Sequence, residues 1–591
     1  VAVTICAAFA IVTASSIAAT ADTNPSVLYQ LPTGTDCLKG FGNCVIYVKS
    51  AQLPNGRIVA GFEQATVVDY PAPDTIGGAK GETLPVYKSD DNGTTWQKLS
   101  DVPPPSAYGN SAMAKYNSNW TNPFFFVMPQ TVGNIAAGTL LLATVVSGED
   151  EWYREHKAAN SSWVPDNDGD RRDVAIALYS STNNGASWTF LNIIATGGWQ
   201  GGSAGAPGRF SNANTTHQQD PLWEPYLMVY NNQIVAYYSD ENDYVGYNTS
   251  TGVPTLAADN ATGPDDGGQI LVHKTWNGTS ATWSQPVVDV AGDTWTFNGS
   301  SRIGGGRPGM TTVVPTTDNK WLITYEYWGG GANTRYKIAS NPLQFAGVGG
   351  AAGAGVNGLP VTSGSAALAG GGSPVTIRLP DGRLVYNAAG SGNVWINNGS
   401  STGAWTQRTT TMPGGYSRQL QYVNGLNQVL ILGNAGPSTI KYALWDQNAT
   451  PAPFERINNR NSGLALDVFE ASTADGGNVV QWAWNGGANQ KWQVQDAGGG
   501  YVRIVNSNSG KCLDVYQWST SDGGNVVQWA CGTGNNQQWQ VQDAGSGFVR
   551  FVNRHSGKCL DVNAYSMENG GNVQQWTCGS GTNQQWSRVT L

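Results

Sequence analysis

Trp492, Trp539 and Trp586 recur 47 residues apart, and each closes a copy of one segment. The copies end Asn-Gln-Lys-Trp (489–492), Asn-Gln-Gln-Trp (536–539) and Asn-Gln-Gln-Trp (583–586). Each carries Leu-Asp-Val earlier (466–468, 513–515, 560–562) and Gly-Gly-Asn-Val between (476–479, 523–526, 570–573). A fixed period of this kind means one supersecondary unit used three times, because a single copy cannot bury its own apolar face. Short apolar runs broken by Gly and Asn turns make each copy β-rich. The three tryptophans are then expected in a shared core.

The Leu-Asp-Val and Gln-x-Trp elements, three times over, resemble the ricin B-type β-trefoil, a carbohydrate-binding module, across residues 456–591. Sugar sites of this kind need a carboxylate to accept hydroxyl hydrogen bonds, a flat aromatic to stack on a C–H face, and an amide. The resemblance assigns these to Asp467, Trp482 and Asn489; to Asp514, Trp529 and Asn536; and to Asp561, Trp576 and Asn583. Three such sites would give a trivalent module with avidity above that of any single site. The resemblance also pairs Cys512 with Cys531 and Cys559 with Cys578. The first copy has Ala465 and Trp484 at those places and no disulfide, which leaves Cys37 and Cys44 to pair locally.

A chain of 591 residues predicts several domains. Only 12% of residues are charged, with Ser, Thr, Asn, Gln and 76 glycines supplying the polarity. The net charge of −9 argues against nucleic acid or an anionic membrane as a partner. Residues 1–22 hold an apolar run (3–12) and then small residues ending Ala-Ala-Thr-Ala, the pattern of a signal peptide. An even number of cysteines beyond Cys6, and ten Asn-x-Ser/Thr sequons including Asn92, Asn119, Asn160 and Asn248, fit a secreted, glycosylated protein.

Residues 23–446 show almost no amphipathic helix pattern. A polar turn followed by an apolar strand recurs six times instead, at 55–62, 138–145, 232–238, 319–325, 381–387 and 427–433. Six units imply six sheets of about 70 residues each, and radial repetition favours a propeller over a sandwich or barrel. The fold class expected is all-β: a six-bladed β-propeller (23–446), a linker (447–455) and a β-trefoil (456–591). Ser89–Trp96 fits the Asp-box S-x-D-x-G-x-x-W, and Ser181–Trp188 a variant with Asn183. Both read as structural turns. The Gly- and Ala-rich stretch 346–372 reads as a surface loop or a flap over the site.

No H-E-x-x-H, P-loop, dinucleotide fingerprint or G-x-S-x-G elbow occurs, and none of the four histidines has metal-ligand spacing. Paired carboxylates are the remaining route to hydrolysis. Acidic residues inside aromatic strands stand out in Trp223-Glu224-Pro225-Tyr226-Leu227, Tyr237-Tyr238-Ser239-Asp240 and Thr324-Tyr325-Glu326. With Arg307-Pro308-Gly309-Met310 and Tyr336–Ser340, these motifs resemble glycoside hydrolase family 93, from about residue 40 to 446. That family comprises secreted, six-bladed exo-α-1,5-L-arabinanases, related to sialidases. Extra residues stand between Glu241 and Gln269 and around 291–305.

The resemblance assigns Glu224 and Glu326 as the catalytic pair of a retaining glycosidase, whose carboxyls stand about 5–5.5 Å apart. Trp223 and Pro225 would desolvate Glu224 and suit it to acid/base work. Glu326 would be the nucleophile, kept ionised by Tyr325 or Tyr327; the reverse assignment stays open. Glu63, Asp240 and Glu241 fit either sugar hydroxyl binding or strand capping. Arg307 and Arg418 fit either hydroxyl donors or ion-pair members. The expectation is a monomeric enzyme without cofactor or metal, releasing arabinobiose from arabinan side chains of plant cell-wall pectin. Two rivals are a sialidase-type glycosidase, for which Tyr416 beside Arg418 is the one hint, and a non-catalytic two-domain lectin.

Overall fold

The structure is a computed structural model that describes residues 22–34, 44–64, 83–148, 159–160, 173–198, 220–261, 266–328, 333–448, 454–498, 500–532 and 534–591. The expected signal peptide, apart from Asp22, and Cys37 lie outside the described residues; Cys44 is disulfide-bonded.

Six four-stranded antiparallel sheets form the blades of a β-propeller. Their innermost strands are Val45–Gln52, Ser118–Val127, Leu222–Tyr230, Gly309–Pro315, Val375–Arg378 and Gln419–Val423. Each contacts the next, and the sixth contacts the first, so the ring is closed. Closure is completed at the rim, where Ser26–Gln30 pairs with Thr439–Trp445 and becomes the outermost strand of blade six.

Every one of the six turn-and-strand units lands on the second strand of a blade: Ile58–Gln64, Leu140–Ser147, Gln233–Asp240, Trp321–Glu326, Leu384–Asn387 and Gln428–Asn434. The reason is burial on both faces. Successive side chains of a strand point to opposite faces, and here each face meets a neighbouring blade. Ile58, Ala60 and Phe62 pack into the core shared with blade six, while Val59 packs into the core shared with blade two. Both Asp-boxes link the third and fourth strands of their blades. Gly93 (φ 88°) and Gly185 (φ 84°) supply the left-handed backbone these turns require, and the Trp188 indole donates to Ser100 in blade one (3.2 Å).

Two expectations are corrected, and a third gains a structure. Residues 346–372 are not a surface loop: they include the last strand of blade four, Ala354–Gly355, and bury Val356, Leu359 and Leu368 against blade five. Asn119 is no glycan acceptor in the folded chain, because it is buried, donates to Val102 O (3.2 Å) and accepts from Thr144 (3.1 Å). The extra residues around blade three are one object. Tyr244–Tyr247, Pro254–Leu256, Asp293–Phe297 and Ser300–Gly305 join into a separate four-stranded sheet whose Tyr244 and Ile303 pack into the core between blades two and three.

A further sheet holds the three-fold repeat and begins at Phe454, two residues before the expected boundary. Trp492, Trp539 and Trp586 are fully buried, and their indoles donate to Leu466 O (2.9 Å), Leu513 O (3.1 Å) and Leu560 O (3.1 Å). The Trp of each copy is thereby tied to the Leu of its own Leu-Asp-Val. At the pseudo-three-fold axis Asn525 donates to Asn478 (2.9 Å), Asn478 to Asn572 (3.0 Å) and Asn572 to Asn525 (2.9 Å). This closed ring explains the Asn of each Gly-Gly-Asn-Val: three partly buried amides satisfy one another. The disulfides Cys512–Cys531 and Cys559–Cys578 are formed.

Candidate functional site

Each blade enters the axis through one residue with left-handed backbone: Tyr47 (φ 57°), Asn122 (46°), Glu224 (61°), Met310 (47°), Ser373 (44°) and Ser417 (58°). In the first four blades the ladder slips at this point, which marks a β-bulge. Left-handed non-glycine backbone is strained and persists where surrounding structure enforces it, commonly at functional sites. Tyr47, Lys49, Asn122, Phe124, Glu224, Met310, Pro374 and Gln419, drawn from all six blades, line a cavity at the axis.

Glu224 is held at this cavity by Ser239 Oγ (2.7 Å) and the Met310 backbone N–H (2.7 Å), both donating to Oε2. A Cβ on Gly309 would lie 2.5 Å from that oxygen, so the glycine of Arg-Pro-Gly-Met makes room for the carboxylate. Gly309 is also the ladder partner of Glu326, which brings the two glutamates to either side of one backbone position. Glu326 Oε2 accepts the Ser373 N–H (2.6 Å), and Oε1 accepts from Tyr416 OH (3.1 Å) and the Trp328 indole. Gly372 repeats the cradle: a Cβ there would stand 2.5 Å from Glu326 Oε2.

The two carboxyls differ in what surrounds them. Burial, and then the charge of Glu326, push Glu224 up to about 7. Burial also raises Glu326, while its three donors and the Arg307 guanidinium oppose the rise. Tyr325 and Tyr327 play no part in this, contrary to expectation. Tyr325 OH donates to Ala352 O (2.8 Å), and the Tyr327 ring lies under the Arg335 guanidinium at 3.9 Å.

The other candidates spread out. Arg307 forms an ion pair with buried Glu241 and donates to Gly267 O (3.1 Å) and Gln269 (3.2 Å), bracing the turn that presents Gly309. Asp240 spends its oxygens on Asn242 (2.8 Å) and Tyr244 OH (2.9 Å), at the root of the extra sheet. Glu63 is buried and accepts from Thr121 of blade two. Arg418 is buried and donates to Ser391 O (2.8 Å). Among the described residues no group of three or more His, Cys, Asp or Glu is placed to hold a metal ion, and no helix is long and apolar enough to cross a membrane.

In the three-fold unit each Asp binds its expected Asn: Asn489 to Asp467 (3.0 Å), Asn536 to Asp514 (2.9 Å) and Asn583 to Asp561 (2.8 Å). The ladder pairs these aspartates with Val480, Val527 and Gln574. Trp482, Trp529 and Trp576 lie two positions on and therefore share the same sheet face. Trp529 and Trp576 are 38% and 44% exposed, and so accessible to a ligand.

Residues 453–587 match the sequence profile of the ricin-type beta-trefoil lectin domain. The three-fold unit is a ricin-type β-trefoil lectin domain. The chain is similar in fold to an α-L-arabinanase from Penicillium chrysogenum solved with arabinobiose, at 22% identity and a TM-score of 0.50, over 72% of this chain and 99% of that one. A family 93 α-L-arabinofuranosidase of Fusarium graminearum, also solved with arabinobiose, aligns at 21% identity and 0.49 over 72% and 97%. The designed three-fold symmetric protein ThreeFoil aligns at 49% identity and 0.23 over 23% and 99%. No curated protein matches the chain.

Sequence reading named both glutamates and the nine polar and aromatic residues of the lectin domain as candidates, and it did not single out several of their neighbours. Lys49 lines the axial cavity, and burial pushes it down to about 8 while Glu224 opposes the shift. Trp328, 53% exposed yet bonded to Glu326, was hidden because it follows the strand. Ser373 carried a usable signal: Asn122, Glu224 and Ser373 each precede a proline at the mouth of a blade.

Proposed function

We propose that the chain is a secreted, retaining, exo-acting glycoside hydrolase that releases arabinobiose from α-1,5-linked L-arabinan. The observation that carries this reading is the pair of buried carboxyls flanking Gly309 with unequal sets of donors. Glu224 has donors on Oε2 only among the described residues, and its pKa of about 7 suits a group that must hold a proton and then give it up. Glu326 has donors on both oxygens and Arg307 nearby, which favours the anion.

In the first step Glu326 attacks the anomeric carbon as the glycosidic C–O bond breaks, and Glu224 passes its proton to the leaving oxygen. In the second, Glu224 as carboxylate takes a proton from water, whose oxygen attacks the same carbon and releases Glu326. Trp328 offers an exposed face against which a sugar ring stacks beside the nucleophile. The lectin domain would hold the enzyme on plant cell-wall polysaccharide, with Asp467, Asp514 and Asp561 as its anchors. Residues 1–22 as a signal peptide, the two disulfides and the sequons other than Asn119 fit export of a glycosylated monomer.

The test is incubation with debranched arabinan. A reducing disaccharide should appear, and the E224A and E326A proteins should produce almost none. A release of sialic acid from sialosides, or no release from any glycan, would replace this reading with one of its rivals.

A further inference from the structure

Two positions of the three lectin sites change together. Across the ladder from the site aspartate stand Val480, Val527 and Gln574. Two residues after the same aspartate stand Phe469, Tyr516 and Asn563. In the first two copies the pair is aromatic and aliphatic, and in the third both members are amides.

The structure shows what each pair does. Phe469 lies 6.1 Å from Trp482 and Tyr516 lies 6.0 Å from Trp529, both tilted, so these sites present two aromatic rings together. Val480 and Val527 are buried and carry no donor, and the Asp514 contacts from Asn536 and Gln537 both fall on Oδ2. In the third copy Gln574 Nε2 donates to Asp561 Oδ1 (3.0 Å) and to Asn563 Oδ1 (3.3 Å), while Asn583 and Gln584 (3.0 Å) hold Oδ2. Asp561 is thus gripped on both oxygens. The Gln574 carbonyl oxygen has no donor among the described residues and is left for a ligand hydroxyl.

Burial raises all three aspartates, Asp467 and Asp514 to about 6; at Asp561 the Gln574 amide is the foremost opposing influence. The third carboxylate is therefore the one held most firmly by hydrogen bonds as an acceptor for sugar hydroxyls.

We infer that the lectin domain is heterovalent: the sites at Asp467 and Asp514 bind one class of neutral sugar chiefly by aromatic stacking, and the site at Asp561 selects a more hydroxylated sugar through Gln574 and Asn563. This rests on the reading of the Asp/Trp/Asn triplets as sugar sites. A site built to hydrogen-bond a hydroxyl discriminates strongly against the analogue lacking it, because its own polar group is left unpaired. A stacking site tolerates that loss. The consequence is an anchor that recognises two different sugars on one heteropolysaccharide, with avidity only where both occur within its span.

Full-length proteins that keep one site each test this: D514A/D561A, D467A/D561A and D467A/D514A. The probes are galactose, glucose and mannose with their monodeoxy analogues, and arabinobiose, titrated by calorimetry. The first two proteins should share one order of preference. The third should lose at least about 10-fold in affinity for some monodeoxy analogue of its preferred hexose, where the others lose about 3-fold or less. Adding N563Y/Q574V to the third protein should bring its order to that of the second. The inference is overturned by one shared order at all three sites, by an unchanged order after N563Y/Q574V, or by a third site that binds no probe. Binding that survives in D467A/D514A/D561A would instead reject the triplets themselves.

Discussion

Both parts of this chain are built by repetition, but they use it in opposite ways. The lectin domain keeps its repeat in sequence and in framework contacts: in every copy the buried Trp donates to the Leu carbonyl and the Asn donates to the Asp. The propeller keeps its repeat in backbone only. Six left-handed entries surround the axis, yet they carry Tyr47, Asn122, Glu224, Met310, Ser373 and Ser417, and only one of these is acidic. Ser373 instead lends its N–H to Glu326, and Met310 lends its own to Glu224. Repetition in the lectin domain keeps one Asn–Asp pair three times, while in the propeller it supplies equivalent backbone positions that carry unlike side chains. Avidity calls for copies, whereas acid–base chemistry calls for unlike neighbours.

That contrast is broken most severely at the glutamates. E224A and E326A should each lower turnover of arabinan by about 10²–10⁴-fold or more while leaving retention on insoluble polysaccharide intact, as measured by reducing-sugar release and pull-down. Removing copies has the complementary result. D467A/D514A/D561A should abolish pull-down, with hydrolysis of short soluble oligosaccharides within about two-fold of native; each single variant should weaken retention only in part. A collapse of soluble turnover in the triple variant would mean that the two regions do not divide the labour.

The glycine cradles sharpen the comparison on the propeller side. G309A would bring a Cβ to 2.5 Å from Glu224 Oε2, too close for the carboxylate to stay in place, and G372A would do the same to Glu326 Oε2 at a backbone φ of +82°. A displacement of about 1 Å at a catalytic group costs about 100-fold, so both variants should lose activity on that scale with their circular dichroism unchanged. A smaller effect concerns stability. Glu224 rises from 4.5 to about 7 on folding, so the fold favours its neutral form. The stability this gives is complete below pH 4.5 and is lost as pH rises through about 7. E224Q, permanently neutral, should therefore melt higher than native protein at pH 8 and match it at pH 4.

The two kinds of repetition also explain what could be read from the sequence. Second strands of the blades are buried on both faces, so all six appear as mainly apolar runs after a polar turn. The lectin copies were legible because the Trp-to-Leu bonds and the asparagine ring require the same side chain in every copy. The bulged entries were not, since left-handed backbone at Tyr47 or Met310 leaves no mark in residue type, and only the prolines after Asn122, Glu224 and Ser373 hint at it. The extra sheet was visible as two insertions, but nothing in their composition says that residues 244–256 pair with 293–305. The donors to Glu326 come from beyond three different strands, and so Tyr325 and Tyr327, adjacent in sequence, drew attention away from Trp328 and Tyr416.

The central claim, that unlike surroundings give the two glutamates unlike roles, is tested most directly by the stereochemistry of azide rescue. With a substrate carrying a good leaving group, E224A should form its glycosyl-enzyme without needing the acid, and then stall for want of a base. Added azide should restore turnover and yield a glycosyl azide of retained configuration. In E326A, azide should take the place of the missing carboxylate and yield the inverted product. Retained product from E326A with inverted product from E224A would contradict the assignment, and full activity in either variant without azide would remove that glutamate from the mechanism.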